Sequence, residues 1–289
     1  MIDLAAIRHE FSFLSNIIPL GVAPSGQKDV LRAQMDGRDV VLKLIRASSG
    51  DERVQREIEA VAKLDSAYVP KVLDHGERVI AGARRLYLIE QLITGETLRS
   101  ALDRKPVWPL AEVLTMTDVL LRACASFEQA RLVHRDIKPA NIMVDAGGKI
   151  WIIDFGIVRH LDRTSLTPTA ERFGPFTPGY AAPEQMRNLK AQINIRADLF
   201  SVGVVLYEIA TGSNPYLVGK RSVLEVIDHM EKVDLPRAIL AGDHDGAFAE
   251  FLSALTARFP SRRPQLASHA LDWFRPISEK LTATATPKT

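Results

Sequence analysis

A chain of 289 residues exceeds what one hydrophobic core usually organises, so either one large two-lobed domain or two small domains is allowed. With 46% hydrophobic and 25% charged residues it has the composition of a soluble globular protein, and a formal net charge of +2 excludes the domain-wide basic excess of a nucleic-acid-binding domain. The lone Cys124 excludes an internal disulfide and reads as a small buried apolar residue, and none of the seven histidines falls in a zinc-binding spacing.

In chain order, the N-terminus lacks the basic stretch and apolar core of a signal peptide. Val40-Val41-Leu42-Lys43-Leu44-Ile45 is a β-branched, apolar strand signal, and Leu86-Tyr87-Leu88-Ile89-Glu90 is another. Between them Glu52 to Leu64 has helical spacing, with Val54, Ile58, Val61 and Leu64 on one face. A long helix is predicted from Leu110 to Ala130, opening after Pro109. Two short strands follow, Ile142 to Val144 and Ile150 to Ile153, joined by the turn Asp145-Ala146-Gly147-Gly148. Asp162 to Pro178 is polar and rich in Thr and Pro, and a loop of that length without periodicity is a signal of function. A helix is predicted to begin at Asp198, burying Leu199, Val202, Val205, Leu206 and Ile209 and stopping at Gly212. The segment from Ile277 to Thr289 reads as a frayed tail. The longest apolar run, near Val202 to Ala210, is interrupted by Glu208 and falls far short of the ~20 residues of a membrane span. A soluble, cytoplasmic protein is expected, with no membrane or nucleic-acid partner.

Strands early and helices late predict an α+β architecture, a small sheet-rich lobe and a larger helical lobe with a cleft between them.

Three short motifs carry chemistry. In His134-Arg135-Asp136-Ile137-Lys138-Pro139-Ala140-Asn141, one loop offers a carboxylate, an amide oxygen and an ammonium group. Phosphoryl transfer needs groups of these three kinds, to orient an attacking hydroxyl, to ligate Mg²⁺ and to neutralise the transferred phosphate. Asp154-Phe155-Gly156 follows a predicted strand, and a carboxylate at a strand end before glycine suits a metal ligand on a sharp turn. Ala182-Pro183-Glu184 is the third.

In order and spacing these motifs match the protein-kinase signature set. From about Ile17 to Trp273 the chain resembles the eukaryotic-like (Hanks-type) serine/threonine protein kinases, of the bacterial stand-alone type. The resemblance implies the bilobal protein-kinase fold: a mainly β N-lobe over 1–90, a hinge over 91–95, a mainly α C-lobe over 96–276, a disordered tail over 277–289, and ATP in the cleft. It implies that Asp136 accepts or orients the substrate hydroxyl proton. Asn141 and Asp154 would hold Mg²⁺, and Lys138 would neutralise the γ-phosphate. Lys43 resembles the strand lysine that meets the α/β-phosphates, and Glu57 its helix partner. Glu90-Gln91-Leu92 resembles the hinge, with backbone groups of Glu90 and Leu92 meeting adenine and Ile89 bordering the pocket. Asp198 would brace the catalytic loop, and Arg263 would pair with Glu184.

The glycine-rich loop departs from the family pattern. Gly21 and Gly26 are kept, Ala23 replaces the middle glycine and Pro24 follows it. Proline removes a donor and stiffens the loop, which bears on nucleotide affinity and loop closure. The segment from Asp154 to Glu184 contains Thr164, Ser165, Thr167 and Thr169. With Arg135 beside the catalytic aspartate, at least one of them is expected to be phosphorylated and to raise activity. Phe176-Thr177-Pro178-Gly179-Tyr180 resembles the family's Gly-Thr-Pro-Gly-Tyr, which implies that Thr177 touches both Asp136 and Lys138, a serine/threonine-kinase trait. Transfer of the ATP γ-phosphate to protein serine or threonine is the expected function, with a partner protein from the same gene neighbourhood. The alternative is a pseudokinase that binds nucleotide as a scaffold.

Overall fold

The computed structural model describes residues 3–20, 28–46, 52–156, 176–240 and 242–285. The chain divides into two compact units, the first built on Met1–Thr94 and the second running on from Gly95.

The first unit is a five-stranded antiparallel sheet with two helices. Its elements are α1 (Leu4–Glu10), β1 (Ser15–Pro19), β2 (Lys28–Met35), β3 (Arg38–Ile45), α2 (Glu52–Ala62), β4 (Val72–Ile80) and β5 (Ala83–Gln91), and the strand order is β1-β2-β3-β5-β4. The β2–β3 hairpin turns through Asp36-Gly37, both left-handed at φ 50° and 73°, which suits the right-handed twist of the flanking strands. One sheet face, with Leu31, Ala33, Val40, Leu42, Leu44, Tyr87 and Ile89, packs under Ile7 of α1 and Phe11, its C-cap. Phe11 meets the Tyr87 ring edge-on at 5.0 Å. Helix α1 is absent from the sequence reading because seven residues are too few to show a clear period, although Asp3 caps it by accepting from Ala6 N at 3.0 Å. Side chains alternate along a strand, so Val41, Lys43, Leu88 and Glu90 occupy the opposite face. Helix α2 packs beside β4, with Val54, Ile58 and Val61 buried as their spacing predicts.

The second unit pairs a small sheet with a helical body. Strands β6 (Gly95–Thr97), β7 (Ile142–Asp145) and β8 (Ile150–Ile152) form one sheet in that order. The helices are α3 (Leu98–Arg104), α4 (Leu110–Gln129), α5 (Pro183–Met186), α6 (Ile195–Thr211), α7 (Val223–Lys232), α8 (Ala247–Leu255) and α9 (Ala267–Ala285). Helix α6 is buried from Ala197 through Ala210 and packs against α4 and α8. At Gly203 an added Cβ would lie 2.8 Å from Leu255 Cβ, so glycine permits the close α6–α8 approach. Gly212 ends α6 at φ 83° in the left-handed conformation, as anticipated.

Two expectations change. Helix α6 begins a turn before Asp198, because Asn194 accepts from Arg196 N at 3.1 Å and caps it; Asp198 is left for another task. The segment from Ile277 is not frayed through most of its length. Helix α9 continues to Ala285 with Ile277 and Leu281 buried, even though Pro276 inside it is ordinarily a stop signal. Among the described residues no helix is long and apolar enough to cross a membrane.

Candidate active site

The chemistry-bearing residues form two sets, one in each unit. In the first, Lys43 sits in the middle of β3, buried to 10% side-chain exposure. A buried ammonium group needs a counter-charge, because its desolvation costs several kcal/mol. The carboxylate supplied is that of Glu90, one strand away, with Lys43 Nζ to Glu90 Oε1 at 2.5 Å and Glu90 also 10% exposed. On α2, Glu57 also lies 3.5 Å from Arg53 Nε, one helical turn back. Glu90 is the penultimate residue of β5. It lies within β5, opposite Val41 and Val72, and enters the site through its side chain. Ile89 points the other way, into the core under α1, which corrects its placement beside adenine. Leu92 follows the end of β5 and is partly buried.

The second set surrounds the octapeptide between α4 and β7. Asp136 is the centre of a polar network. Its Oδ1 accepts from the Thr177 hydroxyl at 2.8 Å, and its Oδ2 accepts from Asn141 Nδ2 at 2.9 Å and lies 3.0 Å from Lys138 Nζ. Lys138 also donates to Thr177 Oγ1 at 3.1 Å, so Thr177 touches both residues as expected. Asn141 Nδ2 donates a second time, to the Asp136 carbonyl at 2.9 Å. With both amide hydrogens turned to Asp136, the acceptor Oδ1 of Asn141 is the atom left for a cation.

The backbone that presents Asp136 is strained and held. Arg135 is left-handed at φ 66°, a conformation that costs a residue with a Cβ ~1 kcal/mol or more. Asp198, fully buried, accepts from His134 N at 2.7 Å and Arg135 N at 2.8 Å. Gln185 Nε2 donates to the Arg135 carbonyl at 3.1 Å. Burial pushes the Asp198 carboxyl up to about 6, against the downward pull of those backbone hydrogen bonds. Asp198→Ala removes the carboxylate that accepts from both N–H groups. It is expected to lose roughly 1–3 kcal/mol of stability after partial relief of desolvation, and the urea midpoint checks this.

His134 is also buried, and Asp136 N donates to its Nδ1 at 3.3 Å. The hydrogen is then on Nε2, which lies 3.2 Å from the Ile153 carbonyl, so the ring is the neutral tautomer. Ile153 N donates to the Asn141 carbonyl at 2.9 Å, tying the start of Asp154-Phe155-Gly156 to the octapeptide. Phe155 packs 4.5 Å from the His134 ring centroid and 5.0 Å from that of Phe127. Asp154 itself is left-handed at φ 70°, a second unusual backbone at a predicted ligand.

Downstream, Glu184 and Arg263 form a bidentate pair at 2.6 and 3.1 Å with almost no exposure. Tyr180 donates to Glu208 at 2.7 Å, Ser201 donates to the Tyr180 carbonyl at 2.9 Å, and Asn214 donates to the Gly179 carbonyl at 3.0 Å, so α6 and the residues after it anchor the stretch beginning at Thr177. Gln185, Phe127 and Glu208 were not singled out in the sequence. Gln185 is adjacent to a motif residue, whereas Phe127 and Glu208 have no local signal. Cys124 is fully buried, and burial raises its thiol pKa well above the usual range. Gly21, Gly26, Thr164, Ser165, Thr167 and Thr169 lie outside the described residues.

Comparison with known proteins gives the class to which this arrangement belongs. Residues 20–273 match the family model for the protein kinase domain. The chain is 35% identical over 257 residues to serine/threonine-protein kinase PknL of Mycobacterium bovis, covering 86% of this chain and 61% of the relative. It is 36% identical over 254 residues to the DNA damage-responsive serine/threonine-protein kinase RqkA of Deinococcus radiodurans, covering 83% of this chain and 36% of that one. The fold is similar to that of the Mycobacterium tuberculosis PknI kinase domain, with TM-score 0.63, 23% identity, and 91% and 96% of the two chains covered. The chain belongs to the protein kinase family and has the protein-kinase fold. It spans less than two thirds of the length of these curated relatives.

Proposed function

We propose that this protein transfers the γ-phosphate of ATP to serine or threonine hydroxyls of protein substrates. The observation that carries the reading is the Asp136 carboxylate accepting an aliphatic hydroxyl, that of Thr177, with Lys138 Nζ beside both. A substrate serine or threonine presents the same group. Asp136 orients that hydroxyl and takes its proton as the oxygen attacks the γ-phosphorus and the bond to ADP breaks. Lys138 offsets the charge on the transferred group. Lys43 meets the non-transferred phosphates, and backbone at the exit of β5, around Leu92, meets adenine. Asn141 Oδ1 and the Asp154 carboxylate are hard oxygen donors that fit Mg²⁺. Bound Mg²⁺ supplies neutralisation of the phosphate oxygens. ATP as donor places the reaction in the cytoplasm.

Substrate class is tested by incubating the protein with γ-labelled ATP, Mg²⁺ and generic protein acceptors, then identifying the labelled residue. Phosphoserine or phosphothreonine is the expected product; label confined to tyrosine or to a small molecule overturns the assignment. In the same experiment at least one of Thr164, Ser165, Thr167 and Thr169 acquires phosphate. Replacing all four by alanine is expected to lower kcat, because the ordering phosphate near Arg135 is lost. Unchanged turnover in that variant would show that the segment needs no phosphate.

A further inference from the structure

Lys43 makes an ion pair within the sheet. Strands β3 and β5 are hydrogen-bonded neighbours, with Lys43 opposite Leu88 and Val41 opposite Glu90. That register puts Lys43 and Glu90 on one face at diagonal positions, a spacing that long side chains bridge. Their charged atoms lie 2.5 Å apart, and each side chain is 10% exposed. Around them Val41, Ile45, Leu86 and Leu88 are buried and apolar. An ammonium group in such surroundings stays charged only beside a carboxylate. A carboxylate on the adjacent strand is fixed relative to Lys43 by backbone pairing. A carboxylate on α2, such as Glu57, depends instead on where that helix lies.

We propose that Glu90 is a positioning residue for Lys43, holding its ammonium charged and aimed for the phosphates of a nucleotide. This rests on the nucleotide-binding role given to Lys43 above. Glu90 touches Lys43, not the reacting atoms, and so acts on affinity more than on the chemical step. Arg or Lys at position 43 would use the anchor; a side chain without charge would not.

The test is calorimetric binding of Mg·ADP to the full chain, a readout independent of phosphate transfer. The variants are Glu90→Gln, Glu57→Gln, Lys43→Met and the double variant of Glu90→Gln with Lys43→Met. Glu90→Gln conserves shape, and circular dichroism with thermal unfolding verifies the fold of each. Glu90→Gln is expected to weaken binding about tenfold, the scale of one charge-assisted hydrogen bond, with Glu57→Gln weakening it less. In the Lys43→Met background Glu90→Gln is expected to add no further loss, a coupling that a merely structural role would not produce. Unchanged or tighter binding by Glu90→Gln overturns the proposal, as does an equal loss with and without Lys43. Absence of binding by the unaltered protein instead overturns the nucleotide-dependent function itself, and the anchor with it.

Discussion

Asp136→Asn is expected to lower kcat by about 10²–10⁴, the usual contribution of a positioned general base, with little change in the KM for ATP. Asparagine has the volume to stay within the network made by Thr177, Asn141 and Lys138. Its amide oxygen can still accept one of these hydrogen bonds. It cannot take a proton at neutral pH, and it removes the negative charge that sits 3.0 Å from Lys138 Nζ. The loss therefore falls on the transition state and not on nucleotide binding. Steady-state kinetics with a protein acceptor measures it, and a kcat within a few-fold of the unaltered protein would remove Asp136 from the chemistry.

The largest effect on stability is expected at the Glu184–Arg263 pair. Arg263 donates to both Glu184 oxygens and to the carbonyls of Ala257, Arg196 and Arg258, and its guanidinium lies 4.8 Å from the Phe200 ring centroid. Arg263→Ala strips all of these at once and leaves a carboxylate buried to 1% exposure without its partner. Breaking a buried pair from one side costs ~3–5 kcal/mol. Urea unfolding should show that loss as a lower midpoint with an unchanged slope. Because Glu184 precedes Gln185, which donates to the Arg135 carbonyl, the damage also reaches the backbone that presents Asp136. A loss below ~1 kcal/mol would mean that the pair is relaxed in solution and not a fixed brace.

The parts of the site that were legible in the sequence were those whose chemistry needs several polar residues at fixed short spacing. Asp136, Lys138 and Asn141 lie within one octapeptide, and the structure brings them together with Thr177, whose contacts were expected from its resemblance to a kinase segment. The apolar runs at Val40–Ile45 and Leu86–Glu90 were legible as strands for the ordinary reason that β-branched and aromatic residues fit a pleated surface. Strand register was not legible, because it is set by pairing between distant segments. That is why the sequence places Glu90 at a hinge and does not connect its side chain to Lys43. Period-two alternation alone separates Ile89 from Glu90; what was missing was which face looked toward the lysine. The start of α6 was placed late because Asp198 was an obvious candidate first residue, whereas the cap is Asn194, four residues earlier. The extent of α9 was underestimated for a similar reason. Pro276 is a sound stop signal locally, but burial of Ile277 and Leu281 outweighs the lost hydrogen bond.

These residues converge on a single requirement: the strained backbone at Arg135 is braced by Asp198 and Gln185 so that one carboxylate meets a hydroxyl beside a lysine. The most direct test of that reading is intact-mass and peptide mapping of the purified protein after incubation with ATP and Mg²⁺, in parallel with Asp136→Asn. The account predicts added phosphate on serine or threonine of the unaltered protein or a supplied acceptor, and none from the variant. Nucleotide binding by both proteins, with no phosphate transferred by either to itself or to any acceptor, would contradict it and leave a nucleotide-binding scaffold.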